Sequence, residues 1–83
     1  MEDEKAKKLG QDLSATVRVG KEGISEGMVK EINRQLEDNG LIKIKILRNS
    51  PYEDMSEVVD IIQGKVKGRT VEIRGKTILL VEK

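Results

Sequence analysis

The chain has 83 residues, 36% of them hydrophobic and 37% charged, with a net charge of +1. That length supports one lean core and not two. Cys and His are absent, which excludes disulfides, the usual zinc sites and most nucleophilic triads; Phe and Trp are absent too and Tyr52 is the single aromatic residue, so the core is expected to be aliphatic.

Residues 1–13 read as a short charged helix with Lys5, Lys7 and Lys8 outward and Leu9 and Leu13 as its apolar contacts. Gly10 weakens it, and its first eight or so residues are expected to fray. Ala15 to Val19 alternates, with Val17 and Val19 on one face and Arg18 on the other, which predicts a short strand. The loop Gly20-Lys21-Glu22-Gly23 follows. Ile24, Met28, Ile32 and Leu36 then recur at every fourth position, predicting a helix capped by Ser25 and stopped at Gly40.

Leu41 to Leu47 is the clearest strand, with Ile42, Ile44 and Ile46 on one face and Lys43 and Lys45 on the other. Ser50-Pro51-Tyr52-Glu53 has the layout of a capping box, with Asp54 as an alternative start for the helix that follows. Met55, Val58, Val59, Ile62 and Val66 carry the helical spacing, and Gly68 is the expected stop. Thr70 to Arg74 predicts a strand with Val71 and Ile73 inward and Glu72 and Arg74 outward. Gly75-Lys76 fits a type II′ hairpin turn. Thr77 to Glu82 returns with Ile78, Leu79, Leu80 and Val81 in a row, so both of its faces are expected to be covered, one of them by the first helix.

The order helix, strand, helix, strand, helix, strand, strand predicts an α/β fold of the α+β two-layer kind. Two strand–helix–strand units imply parallel pairing, and the final hairpin adds an antiparallel strand to a mixed four-stranded sheet. Residues 1–83 are expected to form one domain. No stretch is long and apolar enough for a membrane span or signal-peptide core, so a soluble, cytoplasmic monomer is expected.

Charge is sorted along the chain. Residues 41–48 hold Lys43, Lys45 and Arg48 and no acid, and residues 65–76 hold five cations against Glu72. Residues 51–63 hold Glu53, Asp54, Glu57 and Asp60 and no base. A near-neutral total therefore conceals a basic face. The acids near the start of a helix suit its dipole, and no second ligand-rich segment converges on them, so neither a metal nor another cofactor is expected. Lys21 is followed by Glu22 rather than Ser or Thr, which rules out a nucleotide P-loop, and no nucleophile–base pair stands out. An enzyme is not expected.

The glycine loop offers different chemistry. A strand turning through Gly20 and Gly23 into a helix aims backbone N–H groups at one point, with the helix dipole behind them, and a phosphate suits that point. Taken alone, four such residues are more often a bare turn. A single Tyr leaves no aromatic platform for stacked bases, so any RNA contact has to be to the backbone.

The run from Val17 to Ile32, the run Glu37-Asp38-Asn39-Gly40-Leu41-Ile42-Lys43-Ile44-Lys45 and the run from Ile73 to Leu80 together resemble the CRM domain, the chloroplast RNA splicing and ribosome maturation module, in its free-standing YhbY-like form. The resemblance spans about Leu9 to Val81. It implies a fold like the C-terminal domain of a bacterial translation initiation factor. It also implies RNA as the partner, with ribosomal RNA or a large-subunit precursor as the target. The contact it implies falls on Gly20, Lys21, Glu22 and Gly23, supported by Arg18, Ser25, Lys43, Lys45, Arg48, Arg74 and Lys76. Ala15 stands where the family often has Pro, and Glu22 puts an acid in the loop. A KH-type domain also uses a Gly-x-x-Gly loop, but between two helices, whereas here a strand precedes it. A domain whose basic face docks an acidic protein is the alternative of another class.

Overall fold

The computed structural model describes residues 2–83. Residue 1 of the expected first helix lies outside the described residues. The elements run α1 (Asp3–Asp12), β1 (Val17–Val19), α2 (Glu26–Asn39), β2 (Leu41–Ile46), α3 (Met55–Lys65), β3 (Gly68–Arg74) and β4 (Thr77–Glu82). They form the expected mixed four-stranded sheet, in the order β1-β2-β4-β3. β1 pairs with β2 in parallel, whereas β4 is antiparallel to both β2 and β3. The second strand–helix–strand unit therefore keeps β2 and β3 in the same direction without bonding them, because β4 inserts between them.

β2 lies at the centre and its alternation divides the molecule. Ile42, Ile44 and Ile46 join Val17, Val19, Ile78 and Leu80 under α2 and α3, which contribute Ile32, Leu36, Val58 and Ile62. On the other face Leu41, Leu79 and Val81 pack against Ala6 of α1, with Leu13 and Val71 at the edge. Both faces of β4 are thus buried. The main body has the expected two layers, and α1 adds a partial cover over the second face.

α1 makes that cover in an unexpected way. Leu9 is 47% exposed, while the buried positions of the helix are Ala6 and Gly10. A Cβ on Gly10 would stand 2.7 Å from a methyl of Leu79, so this glycine lets the helix lie close to the sheet. The C-terminal end of α1 has no basic residue of its own. Lys43 supplies the charge, its Nζ donating to the carbonyls of Gly10 at 2.9 Å and Leu13 at 3.1 Å. At the other end Arg69 of β3 pairs with Asp3 at 2.6 Å.

α2 begins and ends as its sequence predicts. Ser25 accepts from the Met28 amide at 3.2 Å, and Gly40 closes the helix at φ +75°. Glu31 accepts from Arg34 and Gln35 on its exposed side, and Arg34, mainly, holds the Glu31 carboxyl below its ordinary range.

Other expectations need correction. The capping box at Ser50–Glu53 does not form; α3 starts at Met55, and Asp54 is its cap. The Asp54 carboxylate accepts from the backbone amide and the hydroxyl of Ser56, both at 3.0 Å, and these bonds, the amide's first, lower its pKa. Gly68 is not a helix stop. The helix ends at Lys65, and Gly68 opens β3 with no room for a Cβ, which would stand 2.7 Å from Leu36. In β3 the register shifts between Thr70 and Glu72. The extra residue breaks the period of two. Val71 packs on the α1 face, while Ile73, level with Ile78 on the other face of this edge strand, is 46% exposed instead of inward. Gly75 has φ +58° and Lys76 has no positive φ, the pattern of the expected type II′ turn.

Lys43→Met keeps the aliphatic stem and removes both bonds to α1. Denaturant unfolding is expected to show a loss of about 1–3 kcal/mol, with faster amide exchange in α1. Asp54, with its pKa lowered by folding, stabilises above its unfolded pKa, and that contribution is lost as pH falls through its folded pKa. Asp54→Asn retains a capping oxygen without the titration, so its stability should fall less steeply between about pH 5 and pH 2, followed by urea unfolding.

Candidate nucleic-acid interface

β1, β2 and β3 point the same way, so their C-terminal ends emerge together. Each is followed by a tight turn. The Gly23 amide donates to the Gly20 carbonyl at 3.0 Å, closing a turn with Lys21 and Glu22 at its tip. The Ser50 amide donates to the Leu47 carbonyl at 3.1 Å, closing a second turn over Arg48 and Asn49. Gly75-Lys76 makes the third. Each turn presents one exposed cation: Lys21, Arg48 and Lys76.

These turns are laced to one another. The Leu47 amide donates to the Val19 carbonyl at 2.9 Å, and the Ile46 amide to the Lys76 carbonyl at 2.8 Å. A Cβ placed on Gly20 would lie 3.7 Å from the Asn49 side chain.

The Gly20–Gly23 loop is braced from below by Tyr52, whose hydroxyl accepts from the Ile24 amide at 3.0 Å. Gly23 is buried at φ +72°, and a Cβ there would stand 2.7 Å from the Tyr52 hydroxyl and 3.2 Å from Pro51. Both conformation and space therefore demand glycine. Gly20 differs, having no positive φ and no crowding. Fewer amides are free than the loop pattern suggests, because those of Gly23, Ile24 and Met28 are all used internally. The amides of Lys21 and Glu22 at the tip have no protein partner among the described residues. Glu22 is exposed beside Lys21 and forms no ion pair among the described residues.

Behind the turns lies a row of side chains on the α1 face of the sheet. Register pairs Arg18 with Lys45, Lys45 with Thr77, and Thr77 with Arg74, which crosses all four strands. The row contains no acid and its three cations are exposed. α1 stops short of it, since Gly10 sits over Leu79 in the neighbouring row with Lys43 and Glu72. The acids of α3 belong to the opposite face of the sheet, where α3 packs.

Of the residues singled out in the sequence, Arg18, Lys21, Lys45, Arg48, Arg74 and Lys76 thus share one end of the molecule. Lys43 is set apart by its bonds to α1, and the Ser25 side chain is engaged as a helix cap. Tyr52, which the sequence associates with the acidic helix, and Asn49 belong to this end as well. The signal for Tyr52 was its being the lone aromatic residue; its partner lies 28 positions away and no local pattern reveals it.

Comparison with known proteins shows the family. Residues 1–81 match the CRS1 / YhbY (CRM) domain. The chain belongs to the CRM domain family. Among similar proteins, "Probable RNA-binding protein MJ0652" of Methanocaldococcus jannaschii is 39% identical over 69 residues, 82% of this chain and 51% of that protein. This CRM chain thus spans about half the length of that relative. "Probable RNA-binding protein YqeI" of Bacillus subtilis is 34% identical over 68 residues, 82% of this chain and 70% of that one. The solution structure of SAV1595 from Staphylococcus aureus, described as an RNA-binding candidate, superposes with a TM-score of 0.77 at 26% identity, covering 98% of this chain and 83% of that one. No described helix of this CRM domain is long and apolar enough to cross a membrane.

The two loop glycines should respond differently to substitution. Gly23→Ala is expected to cost about 1–3 kcal/mol in denaturant unfolding, since a left-handed conformation is forced on a side chain with no space. Gly20→Ala should stay within about 0.5 kcal/mol of the parent in the same measurement.

Proposed function

We propose that this CRM domain binds RNA by its phosphate backbone, at the end where the three turns meet. The observation that carries the reading is the convergence of one cation from each turn, Lys21, Arg48 and Lys76, backed by Arg18, Lys45 and Arg74 on the sheet. Each cation that meets a phosphate releases condensed counterions, which supplies affinity without sequence preference. The unpartnered Lys21 and Glu22 amides add donors at the loop tip. Glu22 opposes an anion, so this loop grips less strongly than a purely basic one.

Relatives bearing RNA-binding names support RNA as the partner. Ribosomal RNA or a large-subunit precursor is the target that the family resemblance favours, and no catalytic step belongs to this function. Crosslinking in cells followed by sequencing of the bound RNA identifies the target; recovery of RNA unrelated to the ribosome would discard that part of the reading.

Lys21→Glu is expected to weaken RNA binding several-fold in fluorescence anisotropy while leaving the thermal midpoint nearly unchanged, because the residue is exposed at the loop tip. The slope of log Kobs against log salt should shrink by about one for each contacting cation removed. Charge reversal at Glu57 and Asp60 should not reduce affinity. Binding to an acidic protein with no affinity for RNA would replace this reading.

A further inference from the structure

The cations stand in two ranks. Lys21, Arg48 and Lys76 lie on the turns, and Arg18, Lys45 and Arg74 lie behind them on the sheet. Neighbouring strands are spaced by nearly 5 Å, so the sheet row is about 14 Å wide. It lies on a twisted sheet face beside the end of α1, where Gly10, Gln11 and Glu72 border a small pocket of about 90 Å³ over Thr77 and Arg74. That is a broad cationic field, not a channel.

An unpaired strand is usually held by a groove that follows one backbone, with aromatic rings stacking the bases. Among the described residues this end has no exposed aromatic ring, and the small pocket between the end of α1 and the row is too short to follow a strand. Tyr52 is the chain's one aromatic residue; it is half-buried beneath the loop and its hydroxyl is bonded to the Ile24 amide. Bases splayed from a single strand would meet lysine and arginine stems and a threonine.

A base-paired RNA presents a surface of the opposite kind. Its A-form minor groove is wide and shallow, bordered by phosphates and floored with 2′-hydroxyls, and proteins meet it through shape and backbone contacts. In the row, Thr77 lies between Lys45 and Arg74, putting a neutral hydroxyl between flanking charges. Hydroxyl in the middle with cations on both sides is the complement of 2′-hydroxyls flanked by phosphates.

We infer that the RNA bound by this surface is base-paired: Arg18 and Lys45, with the turns beyond β1 and β2, meet one backbone bordering an A-form minor groove, Arg74 and Lys76 meet the other, and Thr77 between them faces the groove floor. This inference rests on the RNA-binding reading above and narrows it to a class of RNA.

Fluorescence anisotropy at fixed ionic strength, with the whole chain, tests it against three probes: an RNA hairpin, an oligo-uridine of equal length, and a DNA duplex of the hairpin's stem sequence. The hairpin is expected to bind at least about tenfold more tightly than oligo-uridine, and more tightly than the DNA. Equal or tighter binding of oligo-uridine overturns the inference while leaving RNA binding intact, and so does equal binding of hairpin and DNA. Failure to bind either RNA overturns the RNA reading itself. The double variant Lys45→Ala, Arg74→Ala changes exposed residues only, and a thermal melt checks its fold. It should lower affinity for the hairpin more than for oligo-uridine; an unchanged ratio places the contacts elsewhere and overturns the inference.

Discussion

β2 is bonded on both edges, and its side chains alternate without a break between the two faces of the sheet. Ile42, Ile44 and Ile46 go to the larger core; Leu41, Lys43 and Lys45 go to the α1 face. A slip of one residue in register would exchange these sets, driving two lysines into an aliphatic core. Among the described residues no polar or charged one is buried in that core to receive them, so the register is strongly specified. That same register brings Arg18, Lys45 and Arg74 into one row. The burial of the isoleucines and the arrangement of the cations are thus one constraint seen from two sides.

The direction of the strands does the rest. Because β1, β2 and β3 all end on one side, three separate stretches of sequence deliver their turns to the same place. The turns are held by backbone bonds between neighbours, and the first is braced by the Tyr52 hydroxyl beneath it. Lys43 illustrates how the fold divides its charges. One lysine of β2 anchors α1 through two carbonyls, and the next, Lys45, stays exposed beyond the helix end. A partner binding at this end would meet cations whose backbone positions are already fixed, which would limit the ordering cost of association to the side chains.

Much of this was legible in the sequence because it rests on local periodicity and turn chemistry. The Ile-Lys alternation of β2, the Ser25 cap, the Gly40 stop and the Gly75 turn each act over a few residues, and each appears as read. The CRM resemblance was carried by the same stretches. What escaped depends on contacts between distant segments. Gly10 and Gly68 look like helix weakeners or stops until Leu79 and Leu36 are seen against them. The bulge at Val71 breaks a period of two that the sequence presents as continuous. Tyr52 sits beside acids in the chain but beneath the glycine loop in space. In the candidate site, the list of basic residues was legible, while their division into a helix anchor, a turn rank and a sheet row required the topology.

The central claim is that the end bearing the three turns is the RNA-binding surface, and a residue-by-residue NMR titration of the labelled chain with an RNA hairpin tests it most directly. The account predicts progressive amide shifts at Lys21, Glu22, Arg48 and Lys76 and along Arg18, Lys45 and Arg74, with α3 from Glu57 to Asp60 left in place. Shifts concentrated on α3 or on the exposed side of α2, with the three turns unmoved, would contradict it.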